Sequence, residues 1–336
     1  MFKQIEINHY RGIQQLKIED LAQINIFVGF NGAGKSTVLE AISLAAAPSV
    51  YQHVRLARYR GLPAPTLTVD ESLRSIFFIN GHMNGDGSTQ LMPATIKTND
   101  KDGLQQTLTI EVLSQIHEVT DSIPLNDADS YIKPFSFKPP LLGIKHTITK
   151  TSDEVQDTGE QRLVLSQTSG KITGNLDTNG SQCYFVEARQ SVNIADLTNR
   201  LSEIFQTVRK KKIFLAALQH ILPTVQDIQI GMLAQQPLIY ADVGQDWLLP
   251  IDVLGDGFNR AFLILVGLMD SLSNIIIVDE IDSGLHPFVM ESFWEDINEL
   301  TEGKDQLFCS THNDEILLNL LDVFKDSPEK IRLYRI

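Results

Sequence analysis

The sequence predicts an α/β fold built on a parallel sheet, and three stretches of patterning lead there. Near the N-terminus the apolar segment INIFVGF runs into a glycine-rich turn, NGAGKST, and then into VLEAISLAAA, the order strand, loop, helix. From about residue 255 onward, strand-like and helical segments alternate: AFLILVGLMDSL, NIIIVDE, FVMESFWEDINEL, QLFCST, NDEILLNLLDVF and KIRLYRI. Such alternation implies a parallel sheet covered by helices on both faces. From about Leu67 to Gln182 the character changes. ATIKT, QTLTIEVL, KHTITKT and RLVLSQT alternate or are β-branched, and polar linkers such as TSDEVQDTGE separate them. That region reads as antiparallel and loop-rich.

The remaining elements follow in chain order. IEINHYRGIQQLKIEDL reads as two short strands around a turn at Arg11-Gly12. CYFVEARQ returns to a buried strand type, and NIADLTNRLSEIF with KKIFLAALQHIL gives a helical pair. DIQIGML, PLIYADV and QDWLLPIDV are short strands, and LGDGFNR is a turn carrying two glycines around an acid. The expected organisation is one α/β core formed by residues 1–66 and 182–336, with a short helical subdomain at about 191–222. Residues 67–181 form an inserted β-rich lobe. No internal repeat and no sustained heptad is present, so no coiled coil is expected.

With 43% hydrophobic and 21% charged residues, 336 residues can bury one large core or two smaller ones. No apolar run approaches the ~18 residues of a membrane span. The opening MFKQIEINHYRGI lacks the basic-then-apolar pattern of a secretory leader. Cys183 and Cys309 sit in apolar, strand-like segments and read as buried thiols. A soluble, cytoplasmic protein with no membrane partner is the expectation. The net charge of −14 and pI near 5.0 argue against a surface that coats nucleic acid generally, while leaving room for a local basic track. The basic run Arg209 to Lys212 reads as a solvated helix face, or as such a track.

Three motifs carry chemistry. The first is Gly29-Phe30-Asn31-Gly32-Ala33-Gly34-Lys35-Ser36, followed by Thr37, a full GxxxxGK[ST] match between a strand and a helix. Glycines let backbone N–H groups curl around phosphate oxygens, and the helix N-terminus adds a favourable dipole. Lys35 would reach the β- and γ-phosphates and Ser36 would offer its hydroxyl to Mg²⁺. The second is the β-branched strand Ile275-Ile276-Ile277-Val278 ending in Asp279-Glu280. Ligands of open α/β sheets bind at the carboxyl ends of strands. There Asp279 suits a Mg²⁺ contact through water, and Glu280 is placed to polarise an attacking water. The third is Ser310-Thr311-His312 after QLFC, where a polar residue at a neighbouring strand end would face the γ-phosphate. His312 would hydrogen-bond that phosphate.

Taken together, the P-loop, LGDGFNR, IIIVDEIDSGLHP and QLFCSTHND resemble the ABC-type P-loop ATPase superfamily. Within it they are similar to the RecF/SMC-like branch and to the ATPase module of OLD (overcoming lysogenization defect) proteins. Residues 1–50 and 180–320 carry the resemblance. It implies a P-loop NTPase with an ABC ATPase-like head: a mixed core sheet, an antiparallel β subdomain and a short helical subdomain. It also implies head-to-tail dimers that sandwich ATP. Lys35, Ser36, Asp279, Glu280 and His312 then fall on the phosphate, Mg²⁺, Mg²⁺, general-base and switch positions. Gly255-Asp256-Gly257 falls on the signature motif that completes the partner's site, and Asp282 to His286 on the D-loop that crosses the interface. The signature departs from LSGGQ: Gly255 stands where the serine would be, Asp256 replaces a glycine and Phe258 the glutamine. The contact to the partner's nucleotide would then rest on backbone N–H groups at the helix start, helped by Asn259 or Arg260. Gln190 sits where a Mg²⁺-sensing glutamine would be, and Arg189 is an equal candidate for a phosphate or arm contact. Arg11 resembles the branch's nucleotide-contacting arginine.

These features predict an ATP-hydrolysing switch requiring ATP and Mg²⁺, a homodimer or larger assembly. About twenty residues follow the His312 segment, too few for the TOPRIM nuclease domain of full OLD proteins. The output would therefore belong to a separate effector protein encoded nearby, in a bacterial anti-phage defence system. The alternative is a RecF-like repair ATPase that binds DNA. An ABC-transporter subunit fits poorly with the missing LSGGQ and the large β region, and a small-molecule kinase poorly with the acid-rich strand end.

Overall fold

The computed structural model describes residues 1–49, 52, 56, 79–83, 89–113, 142–152, 156–165, 170–175, 182–188, 194–233, 236–302 and 306–336. The chain divides into two compact units, Met1–Leu21 with Ser36–Ser181, and Ala22–Lys35 with Gln182–Ile336.

The first unit is built on a seven-stranded antiparallel sheet in the order β10-β9-β8-β7-β6-β1-β2. Its strands are β1 (Phe2–Tyr10), β2 (Ile13–Ile18), β6 (Ala94–Asp100), β7 (Gln105–Leu113), β8 (Leu142–Thr151), β9 (Gln156–Leu165) and β10 (Gly170–Asn175). The alternation in the sequence is the alternation of faces: Ile5 and Ile7 of β1, Ala94 and Ile96 of β6, and Leu108 and Ile110 of β7 are buried. A two-stranded ribbon, β4 (Ile79–Met83) and β5 (Thr89–Leu91), is separate. Helix α1 (Lys35–Ala46) is apolar nearly all round and correspondingly buried, and the Gln106 side chain donates to the Ala45 carbonyl at 2.8 Å. The expected division differs here. The opening hairpin does not stand with the α/β core, because β1 pairs with β6 from Gln4 to Asn8 and extends the antiparallel sheet.

The second unit holds a five-stranded sheet in the order β11-β15-β16-β3-β17, every pair parallel. Its strands are β3 (Ile24–Val28), β11 (Gln182–Val186), β15 (Ser273–Val278), β16 (Gln306–Thr311) and β17 (Ile331–Arg335). The middle strand β16 is buried along its whole length, as a strand covered on both faces must be. The helices are α2 (Ile194–Phe205), α3 (Val208–Ile221), α4 (Asp256–Met269), α5 (Pro287–Leu300) and α6 (Asp314–Val323). Helix α4, the predicted AFLILVGLMDSL helix, is buried from Phe258 to Met269. Edge-to-face contacts run from Phe205 of α2 through Phe214 of α3 to Phe262 of α4, with centroids 5.8 and 5.4 Å apart. Three short antiparallel strands, β12 (Asp227–Leu233), β13 (Gln236–Asp242) and β14 (Leu249–Pro250), lead into α4. The α/β fold is as expected, with parallel and antiparallel pairing in separate sheets. No helix among the described residues is long and apolar enough to cross a membrane.

Candidate active site

The P-loop leaves the carboxyl end of β3 and turns into α1 at Lys35. Gly32 and Gly34 have φ of 84° and 106°, a region that glycine enters freely, and the Ala33 N–H closes the turn on the Phe30 carbonyl at 3.2 Å. Lys35 is buried; its Nζ donates to the Gly29 and Phe30 carbonyls at 2.7 and 3.0 Å, so the ammonium lies across the mouth of the loop. Asn31, Gly32 and Ala33 are exposed, Ser36 is half-buried and Thr37 buried. Gly29 has no room for a side chain, since a Cβ would lie 2.6 Å from the Ile336 carbonyl oxygen.

Asp279 and Glu280 follow β15. Asp279 is 2% exposed, and its N–H donates to the Val186 carbonyl of β11 at 3.0 Å. Glu280 is half-buried and has φ of 56°, a left-handed conformation that a non-glycine residue adopts only at a cost. The Ser310 hydroxyl at the end of β16 donates to Asp279 Oδ1 at 2.6 Å and accepts the Glu280 N–H at 2.8 Å, and the Ser310 carbonyl accepts the Ile281 N–H at 2.9 Å. The Ser310 side chain is thus turned to the end of the neighbouring strand. His312, two residues on, is exposed and makes no hydrogen bond with the described residues. Asn313 beyond it caps α6, accepting the Glu315 N–H at 3.0 Å.

LGDGFNR is the entry to α4. Gly255, at φ 96°, is its N-cap and Asp256 its first residue; both are exposed. Gly257 abuts Gly284, where a Cβ would run into the Gly284 carbonyl. The signature-like and D-loop-like segments therefore pack on each other within one chain. Asn259 and Arg260 are buried, which removes them as helpers of a contact to another subunit. The Arg260 guanidinium instead donates to the carbonyls of Glu187, Asp279 and Glu280. In the segment after Glu280, Ser283 N–H donates to the Glu280 carbonyl and Leu285 N–H to that of Asp282, and His286 caps α5 by accepting the Phe288 N–H at 3.2 Å. Cys309 is buried beside this turn; burial, and then Asp282, push its thiol pKa up.

Arg11 lies within the first unit at φ 50°. Its Nε pairs with the fully buried Glu40 of α1 at 2.6 Å, and its guanidinium stands 5.8 Å from the Tyr10 ring centre. Burial opposes its charge, but Tyr10 and Glu40 outweigh that and raise its pKa. Gln190 and Arg189 lie outside the described residues. Sequence reasoning missed the Arg260 bridge and the Ser310 bridge. Ser310 carried a weak signal, a polar residue closing an apolar strand one helix after the acids. Arg260 carried none beyond an arginine on an otherwise apolar helix.

The chain matches the family model described as "AAA domain, putative AbiEii toxin, Type IV TA system" over residues 24–319. It is 22% identical, over an alignment 364 positions long, to an ATP/GTP phosphatase of Helicobacter pylori, covering 99% of this chain and 92% of that one. A 52-residue stretch, 16% of this chain, is 44% identical to 6% of the DNA double-strand break repair Rad50 ATPase of Methanopyrus kandleri. Among solved structures, the Smc head bound to the C-winged helix domain of ScpA aligns over 95% of this chain and 91% of that chain, with a TM-score of 0.48 and 12% identity. With the family model spanning most of the sequence, from the P-loop strand into the helix after His312, the chain belongs to this AAA-domain family and is a P-loop enzyme that hydrolyses ATP.

Proposed function

We propose that the protein is a Mg²⁺-dependent, ATP-driven switch. Two copies close head to tail around ATP, hydrolysis reopens them, and the change acts on a separate effector in a bacterial anti-phage defence system. The observation that carries the catalytic part is strand order: β3 and β15 flank β16, so the P-loop and Asp279-Glu280 leave the same carboxyl edge, two strand spacings or about 10 Å apart. That distance suits a phosphate with a water beyond it.

In this reading Lys35 and the P-loop backbone N–H groups hold the phosphates, with Asn31 to Thr37 forming the cradle. Glu280 orients the attacking water. Asp279 and Ser36 would hold Mg²⁺; a carboxylate fixed by a hydroxyl donor at a strand tip is the sparse oxygen set that Mg²⁺ accepts alongside phosphate and water. When bound, the metal supplies charge neutralisation on the phosphates. Gly255 to Gly257 would meet the other copy's nucleotide through exposed backbone at the start of α4, His312 would contact the γ-phosphate, and Arg11 the nucleotide. Likeness to OLD-type ATPase modules and a family description naming a Type IV TA system support a chain that works beside a second gene product.

The test uses purified variants. Lys35→Ala is expected to lose ATP binding, and Glu280→Gln to retain ATP and accumulate as a dimer in light scattering. Wild-type turnover in both variants would end this reading. A second reading, a RecF-like ATPase that binds DNA, is favoured by the exposed Arg209 and Lys212 in the first turns of α3, a helix with no acid in its first turn. Salt-dependent duplex binding by the ATP-bound form would select it.

A further inference from the structure

The backbone of the catalytic acids is held from two sides. From β16, the Ser310 hydroxyl spends its proton on Asp279 Oδ1 and its lone pair on the Glu280 N–H. From α4, Arg260 takes the carbonyls of the same two residues and of Glu187. Ser310 is fully buried and Arg260 2% exposed, so water does not compete for either set of bonds. Glu280 sits at φ 56°, outside the conformations that its own side chain favours. A residue so placed stays there only if its surroundings over-determine it, and its carboxylate direction follows from that backbone.

We propose that Ser310 is a positioning residue for hydrolysis: its hydroxyl locks Glu280 in the left-handed conformation that aims its carboxylate, and at the same time fixes the Asp279 carboxylate. Arg260 completes the lock on the carbonyl side and ties it to the helix that begins with Gly255-Asp256-Gly257. This rests on Glu280 being the group that orients water. One hydroxyl thus sets the geometry of both acids, and its removal frees the Glu280 N–H and an Asp279 oxygen together. The loss falls on the hydrolytic step, while the P-loop contacts that hold the nucleotide remain.

The experiment measures ATP turnover, equilibrium binding of radiolabelled ATP and thermal unfolding for Ser310→Ala, Ser310→Thr, Glu280→Gln and the Ser310→Ala/Glu280→Gln double variant. Ser310→Ala is expected to lower kcat about ten- to a hundredfold with ATP affinity changed less than about twofold. Ser310→Thr, which keeps the hydroxyl, is expected to recover most of that loss. In the Glu280→Gln background, Ser310→Ala is expected to cost at least about fivefold less than in the wild-type background, because the group it aims is already gone and only its hold on Asp279 remains to be lost. A merely structural role would lower the rate in both backgrounds alike, and that result overturns the proposal, as does wild-type turnover in Ser310→Ala. If Ser310→Ala fails to fold, Ser310→Cys, of similar size but a weak donor, takes its place with the same expectations. Wild-type turnover in Glu280→Gln alone would instead refute the water-orienting role of Glu280, a failure distinguishable from that of Ser310.

Discussion

Gly257→Ala tests whether the packing of LGDGFNR on the segment after Glu280 matters. A Cβ at Gly257 would collide with the Gly284 carbonyl oxygen and lie 2.9 Å from its carbonyl carbon and 3.5 Å from the Leu285 nitrogen. All three are backbone atoms, so no side chain can swing aside. Gly284 itself has φ 75°, which leaves its peptide little freedom to turn away. The two segments must part by roughly an ångström, an overpacking cost of about 1–3 kcal/mol. For a unit of this size that is a fall in Tm of about 2–12 °C. Because Gly284 follows Glu280 by four residues, ATP turnover is expected to fall too. Calorimetry and a phosphate-release assay check both, and unchanged values in both would refute the reasoning. A larger residue there reports on packing alone, which makes Asp256→Ala the informative probe of nucleotide contact. Asp256 is exposed at the start of α4, so its loss removes only about 0.3–1 kcal/mol of helix-dipole interaction. Lowered turnover with nearly unchanged Tm would place the segment at a nucleotide; unchanged turnover would leave it a turn.

Two further predictions concern the scaffold. Asp270, 1% exposed at the end of α4, pairs with Arg200 of α2 and accepts the Leu272 N–H at 3.1 Å. Asp270→Ala is expected to cost about 3 kcal/mol, the lower end for breaking a buried pair since Arg200 keeps Asp196, and denaturant unfolding would show it; a loss below about 1 kcal/mol would contradict the assignment. His146 of β8 is buried, and burial lowers its pKa to about 3. The unfolded chain binds that proton near pH 6.5 and the folded one does not, so stability is full above pH 6.5 and falls below it by about 1.4 kcal/mol per pH unit until about pH 3. Between pH 6.5 and 5 wild-type stability should drop about 2 kcal/mol more than that of His146→Leu. Parallel pH curves for the two proteins would disprove it.

The P-loop was legible because its chemistry is local: phosphate cradling needs glycines, a lysine and a hydroxyl within eight consecutive residues, and Gly32, Gly34 and Lys35 form that turn. The α/β class was legible because a strand buried on both faces, such as IIIV, and a helix such as AFLILVGLM differ in length and in branching. The joining of the opening hairpin to the antiparallel sheet was not. Period-2 patterning tells which face of β1 is buried but not which strand it pairs with, and β6 lies more than eighty residues away. Nor were the roles of Ser310 and Arg260. A hydroxyl that bridges two acids and a guanidinium that gathers three carbonyls depend on strand order and helix placement, which bring residues from separate segments within hydrogen-bond reach. Sequence alone determined which groups are the candidates for the chemistry, since that choice rests on residue type over short spacing. Only the tertiary structure decided which residues hold those groups in place, since the bonds to the Asp279-Glu280 backbone come from a strand and a helix that approach it only once the sheet is assembled.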